Sequence, residues 1–281
     1  MKYLKLLLII LGILAITVII MNYLPSKLRT TYQKNQQEHF FSHKEENQAP
    51  FTLADLAGFP QPIVNYIQKM GYLGKARMNG MQLFFKEADF YLDQEKPKMT
   101  IDYYVTESSL NPKRIAYIDS QLYFLKFNGY DVFLNQQSRM QGELLNQINL
   151  FKQEGEDLRK GGLLTYLSEV FLMPSAIFNE AISFKELDSE RVLATISIDG
   201  YDLQGVFEFN QEGEMVRFTT DQRPHVEADG KVHQRTWVAE CLDYQVNNQG
   251  VKIPTRFVAS WMIDGKKFDY FDGKISEIQY Y

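Results

Sequence analysis

Val192-Leu-Ala-Thr-Ile-Ser-Ile198, Asp199-Gly200, Leu203-Gln-Gly-Val-Phe-Glu-Phe209, Glu212-Gly213 and Met215-Val-Arg-Phe-Thr-Thr220 form the stretch that decides the fold. Val192, Ala194, Ile196 and Ile198 recur at every second residue, which puts one face of an extended chain in the core. Asp-Gly and Glu-Gly supply the positive-φ positions that tight hairpins need. Consecutive strands joined by such turns pair antiparallel.

The pattern continues in both directions. Downstream, Val232–Val246 and Val251–Ile263 read as long strands around Asn247–Gly250. Phe268–Phe271 and Lys274–Tyr280 follow, around Asp272-Gly273. Upstream, strands are predicted at Met81–Phe85, Phe90–Leu92, Met99–Thr106, Arg114–Ile118, Leu122–Phe127 and Val132–Leu134, with Asn128-Gly129 as a hairpin turn. Helices are fewer. Thr52 and Asp55 have the spacing of a capping box. Ile63, Tyr66, Ile67 and Met70 share a helical face that Gly71 ends. Glu143–Phe151 and Leu163–Met173 complete the set, the latter ended by Pro174. These elements predict an α+β chain with a large curved, half-barrel-like antiparallel sheet and a few helices on one face.

The N-terminus is different in kind. Leu6–Met21 is 16 residues without a charge, and twelve are Leu, Ile or Val. Extended to residues 4–24, it is long enough to cross a bilayer as a transmembrane helix. The apolar run exceeds that of a cleaved signal, and bulky Met21-Asn22-Tyr23-Leu24-Pro25 offers no small-residue cleavage site. The reading is a single-pass signal anchor. Basic residues flank it almost equally, Lys2 and Lys5 before and Lys27, Arg29 and Lys34 after, so charge does not orient it. The predicted organisation is an anchor over residues 1–25, a polar stalk over 26–50 and a β-rich domain over 51–281.

Composition removes several functions. Thirty basic and thirty-five acidic residues leave no basic footprint for nucleic acid. Cys241 is the only cysteine, which excludes an intramolecular disulfide and a Cys-rich metal site. No cofactor is expected, for the chain has no phosphate loop, dinucleotide fingerprint or nucleophile elbow. His39 and His43, with Glu46, have helical spacing but lack a His-Glu-x-x-His pattern and read as solvated. His225 and His233 flank a turn at Asp229-Gly230. Cys241 reads as a buried, inert thiol. Glu169 stands in an apolar helix and needs a partner. A hydrolase pairing Glu169 with His225 or His233 is the least favoured function.

Phe51-Thr-Leu-Ala-Asp-Leu-Ala-Gly-Phe-Pro-Gln-Pro-Ile-Val-Asn-Tyr66, Gly162-Leu-Leu-Thr-Tyr-Leu-Ser-Glu169, Gly205-Val-Phe-Glu-Phe-Asn and Gly250-Val-Lys-Ile-Pro254-Thr occur in an order that resembles a bacterial membrane-anchored domain of unknown function. Trp237, Asp243-Tyr244, Trp261 and Gly273-Lys-Ile-Ser-Glu-Ile-Gln-Tyr280 look like that family's closing pattern. The resemblance covers Phe51 to the end. It implies an anchor with a β-rich domain, and no activity. At the level of fold it is similar to the half-barrels of lipoprotein carriers.

Together these features lead us to expect a membrane-tethered binding protein for a lipid or acyl chain, with a non-catalytic envelope interaction module as the alternative. The ligand would occupy a cavity of about 300–1,000 Å³ between the sheet and the Leu163–Met173 helix. Candidate ligand-binding residues are Tyr166, Glu169, Ala176, Trp237 and Tyr244, with no catalytic or metal-binding residue. Trp261 is expected in the core and Trp237 at a rim. The chain is expected to be a single-pass membrane protein with its soluble domain on the extracytoplasmic side.

Overall fold

The computed structural model of the protein describes residues 2–42, 49–135, 137–226 and 231–281. Helix α1 (Lys2–Tyr23) is apolar on every side and buries no residue in the protein, and it is long enough to cross a membrane. Helix α2 (Lys27–Gln36) starts at Ser26, whose hydroxyl accepts from the Arg29 amide at 3.2 Å.

A six-strand meander follows α3 (Gln61–Lys69): β1 (Gly80–Phe90), β2 (Met99–Ser108), β3 (Lys113–Leu122), β4 (Leu125–Leu134), β5 (Gln137–Leu144) and β6 (Ile148–Glu154). Helix α4 (Glu156–Ser168) and two short 3₁₀ segments, Val170–Leu172 and Pro174–Phe178, cross to the second half. There β7 (Ile182–Glu186), β8 (Arg191–Ile198), β9 (Tyr201–Phe209) and β10 (Met215–Thr220) run up to a small hairpin, β11 (Pro224–Val226) with β12 (Val232–Gln234). The chain ends with β13 (Trp237–Leu242), a short ladder of β14 (Gln245–Val246) with β15 (Lys252–Ile253), and then β16 (Arg256–Ile263) and β17 (Lys266–Tyr280).

Thirteen strands form one antiparallel sheet, in the order β6-β5-β4-β3-β2-β1-β17-β16-β13-β10-β9-β8-β7. Two meanders are thus joined where the first strand meets the last, Met81 opposite Tyr280. The sheet is curved and does not close, leaving β6 and β7 as edges. Helices α3 and α4 and the 3₁₀ segments cover one face over a core that includes Tyr66, Tyr166, Phe171, Phe207 and Phe218. Tyrosine hydroxyls satisfy the irregular backbone of this layer. Tyr66 donates to Phe171 O at 2.6 Å and Tyr280 to Leu172 O at 2.9 Å.

Several local expectations are corrected. Asn128-Gly129 is no turn but the middle of β4, with Gly129 opposite Ile118. The β3–β4 turn falls instead at Tyr123-Phe124, inside the stretch expected as a strand over Leu122–Phe127. Glu143–Phe151 is not a helix but the β5–β6 hairpin, turned at Leu145-Asn146 with positive φ at both. Asp272-Gly273 lies within β17, and Phe85 and Phe271 rings occupy the space a Cβ at Gly273 would need. The capping bonds at Thr52 form, its amide donating to Asp55 Oδ2 at 3.0 Å, yet only turns follow before α3.

The segment expected as a stalk lies against the sheet over its described part. Leu28, Tyr32 and Phe40 are buried on Ile115, Tyr117, Tyr130 and Val132, on the face opposite α4. Both faces of β3 are therefore covered, and Arg114 to Ile118 are all buried. His43 and Glu46 lie outside the described residues, as does the Asp229-Gly230 turn.

Candidate functional site

Between α4, the β11–β12 hairpin and the curved sheet lies a cavity of about 210 Å³. It is smaller than the volume expected from sequence. Strand alternation builds one wall. Trp237 of β13 stands directly opposite Trp261 of β16, and Ala259 of β16 opposite Phe271 of β17, so these side chains share a face. Phe85, Phe257, Phe268 and Tyr270 complete an aromatic wall. Arg114, Asp131, Thr165 and Glu169 add a polar group to the lining, alongside Ile118, Met140 and Leu158.

Trp237 and Trp261 are 1% and 4% exposed, so the expected contrast between a rim Trp237 and a core Trp261 does not hold. Opposed residues of an antiparallel pair point the same way, and both indoles line the cavity. Trp237 Nε1 donates to Tyr270 Oη at 3.1 Å. The Arg223 guanidinium lies 4.7 Å from the Trp237 ring and 5.1 Å from that of Trp261, within range of a cation–π attraction to each. Its Nε donates to Thr165 Oγ1 of α4 at 3.4 Å. His225 stacks on Trp261 at 4.5 Å, and Arg235 Nη1 donates to its Nδ1 at 2.7 Å. These contacts fasten the hairpin over the cavity.

The polar group is centred on Arg114. Its Nε and Nη2 donate to the two Glu169 oxygens at 2.8 and 3.1 Å, a bidentate pair, and Nη2 also donates to Tyr103 Oη at 3.1 Å. Glu107, opposite Arg114 across β2 and β3, has Oε1 2.9 Å from the same Nε. That nitrogen has one hydrogen, aimed at Glu169, so neither Glu107 oxygen accepts a bond. Burial, then the neighbouring Glu169 charge, pushes the Glu107 carboxyl well above the usual range. The neutral acid can donate to Glu169. Burial also opposes ionisation of Glu169, but Arg114, the hydrogen bond from Glu107 and the Arg223 charge together outweigh it and hold that carboxyl below its ordinary value.

Of the residues proposed from sequence, Glu169 and Trp237 line the cavity. Tyr166, Ala176 and Tyr244 do not. Tyr166 is fully buried and donates to Ser108 O at 2.9 Å. Ala176 is buried in the second 3₁₀ segment. Tyr244 donates to Met215 O at 2.8 Å. Arg114, Arg223 and Trp261 were not among the expected site residues. Arg114 did leave a signal, a charge opening the apolar run Ile115-Ala-Tyr-Ile118. The Arg223 contacts depend on β10, β13, β16 and α4 together and leave none. His225 also lines the cavity, but Arg114 engages both Glu169 oxygens. Burial, then the Glu169 charge, raises the Cys241 thiol pKa. Among the described residues, no three His, Cys, Asp or Glu side chains are grouped to hold a metal.

Similar solved structures include a LolA superfamily protein from Nitrosomonas europaea, at 10% identity and a TM-score of 0.38, over 78% of this chain and 92% of that one. A DUF1329 family protein from Desulfovibrio piger is similar at 9% identity and a TM-score of 0.32, over 78% and 91%. No curated protein matches the chain. A family model matches residues 49–273, and the chain belongs to that family, the Family of unknown function (DUF6544).

Proposed function

We propose that the protein is a membrane-tethered binding protein for an amphipathic ligand, a lipid or an acyl chain, held in the cavity beneath the β11–β12 hairpin. One observation carries the reading: the cavity lining combines an aromatic wall with a buried polar group, so a ligand with an apolar body and a polar end matches both. Of the residues proposed from sequence, Glu169 and Trp237 keep a ligand-binding role. Helix α1 serves as an uncleaved anchor, and the domain stands on the extracytoplasmic side. A topology reporter fused after Tyr281 checks that side.

The ligand test uses the two indoles as reporters. Full-length protein in mild detergent is titrated with a brominated fatty acid, whose bromine quenches tryptophan at contact. Saturable quenching, competed by the unbrominated acid, supports the reading. Quenching that rises linearly without saturation, together with no co-purified amphiphile by mass spectrometry, refutes it and leaves an interaction module.

A further inference from the structure

The turn between β3 and β4 has an unusual composition. Leu122 pairs with Leu125, so Tyr123 and Phe124 alone make the turn. Tyr123 has φ 59°, a left-handed position that tight hairpins normally give to Gly or Asn. The two aromatic side chains are 88% and 74% exposed. A sequence tuned only for folding would not put two uncovered aromatics on a turn that strains one of them.

The surroundings of the turn explain the choice. Asn22, in the last turn of α1, donates from Nδ2 to Phe124 O at 2.9 Å and accepts from the Lys126 amide at 2.9 Å. Asn146, in the β5–β6 turn, donates to the Asn22 and Leu24 carbonyls at 2.9 Å each. Gln147 donates to Pro25 O at 3.1 Å. The end of α1 is thus clamped between two hairpin turns. Helix α2 then packs directly on the sheet, with Tyr32 Oη 2.8 Å from Thr106 Oγ1. The passage from α1 to the sheet is therefore fixed at each step from Asn22 to Tyr32.

The 22 residues of α1 span about 33 Å, close to the thickness of a bilayer's hydrocarbon core. With Lys2 at one interface, Asn22 and Tyr23 reach the other, and the hydrogen bonds from Asn22 hold the β3–β4 turn at that depth. Interfaces are where Tyr and other amphipathic aromatics collect in membrane proteins.

We propose that the β3–β4 tip, Leu122–Leu125, inserts into the interface of the same bilayer that α1 crosses, so that the domain stands on the lipid in one fixed orientation. The proposal rests on the reading of α1 as an uncleaved anchor. Its consequence bears on the ligand. Strands β1 and β3 run the same way with only β2 between them. The β1–β2 loop residues Tyr91–Asp93, which line the cavity, are therefore at the membrane end of the sheet, and exchange with the bilayer has a short path.

The test uses the full chain in vesicles of phosphatidylethanolamine and phosphatidylglycerol. Phe124→Cys takes a polarity-sensitive fluorophore, Cys241 being buried and raised in pKa. Leu110→Cys, beyond the opposite end of ten-residue β3, is the control, about 33 Å or more away. The label at 124 should emit blue-shifted light and be quenched several-fold more than the label at 110 by lipids carrying a nitroxide near the headgroup. Equal emission and quenching at the two positions, in protein that resists alkaline carbonate extraction, overturns the proposal and leaves the anchor standing. Release by carbonate overturns the anchor and the proposal with it.

Discussion

Arg114 meets three acidic groups, Glu107, Glu169 and, at 3.5 Å, Asp131. One guanidinium cannot ionise both fully buried carboxyls, and the proton stays on Glu107. This has a measurable sign. In the unfolded chain Glu107 ionises near its ordinary value of 4.5, while in the folded chain it keeps its proton well above that. Across this window the folded state binds more protons, so stability falls as pH rises, by up to about 1.4 kcal/mol per pH unit. Glu169, held low, stays ionised through the same window. Glu107→Gln stays neutral and keeps a donor toward Glu169. Its Tm should gain on the wild type as the pH rises above about 4.5, where the unfolded chain's Glu107 ionises and the folded chain's does not. Parallel Tm curves for the two proteins would show that Glu107 ionises in the folded chain. The need for such a partner was legible in the sequence, since Glu169 interrupts an apolar stretch, although that stretch is not the single Leu163–Met173 helix expected: α4 ends at Ser168 and Glu169 caps it. The identity of the partner was not, because Arg114 lies 55 positions away and only the packing of α4 on β3 brings them together.

At the scale of elements, alternation and turn chemistry located β8, β9 and β10 well, since there the turns are Asp-Gly and Glu-Gly and the strands are covered on one face. The misread turns share one cause. Gly129 and Gly273 sit inside strands where a neighbouring side chain lies against the backbone, Ile118 and Phe85 respectively. A strand glycine chosen for close approach looks the same in sequence as a glycine chosen for a turn. Helix α2 lies within the expected polar stalk and was not legible as a covering layer, because only Leu28 and Tyr32 of its ten residues are buried. The sign of its role lay in β3, whose continuous run Ile115-Ala-Tyr-Ile118 is the pattern of a strand buried on both faces. It follows that a chain beginning at Phe51 uncovers Ile115, Tyr117, Tyr130 and Val132. That chain should aggregate or melt well below one beginning at Ser26, by light scattering and thermal denaturation. Equal melting temperatures would mean that α2 adds nothing to the sheet.

For the whole molecule, the balance between sheet and helix decides what space is left. Thirteen strands curve around two helices and two short 3₁₀ segments on the concave side, and the β11–β12 hairpin covers part of what they do not. That imbalance was visible in the sequence as a count of strands against apolar helix faces. The size of the remaining cavity was not, because it depends on how far Trp237, Trp261 and Phe271 fill the concavity. Ala259 is the small residue in that wall, and its enlargement separates a ligand site from a packing defect. Ala259→Leu fills part of the cavity, so ligand-free protein should melt at or above the wild-type temperature, since cavity volume costs about 24 cal/mol per Å³. A ligand at a hundredfold excess over its Kd should stabilise the wild type by about 2.7 kcal/mol. For a domain of this size that is a Tm rise of roughly 5–10 °C. The same fatty acid or lysolipid should leave Ala259→Leu unmoved. If the variant keeps the full rise, the ligand binds elsewhere. If the variant gains stability and no amphiphile shifts either protein, the space is a void in an interaction module.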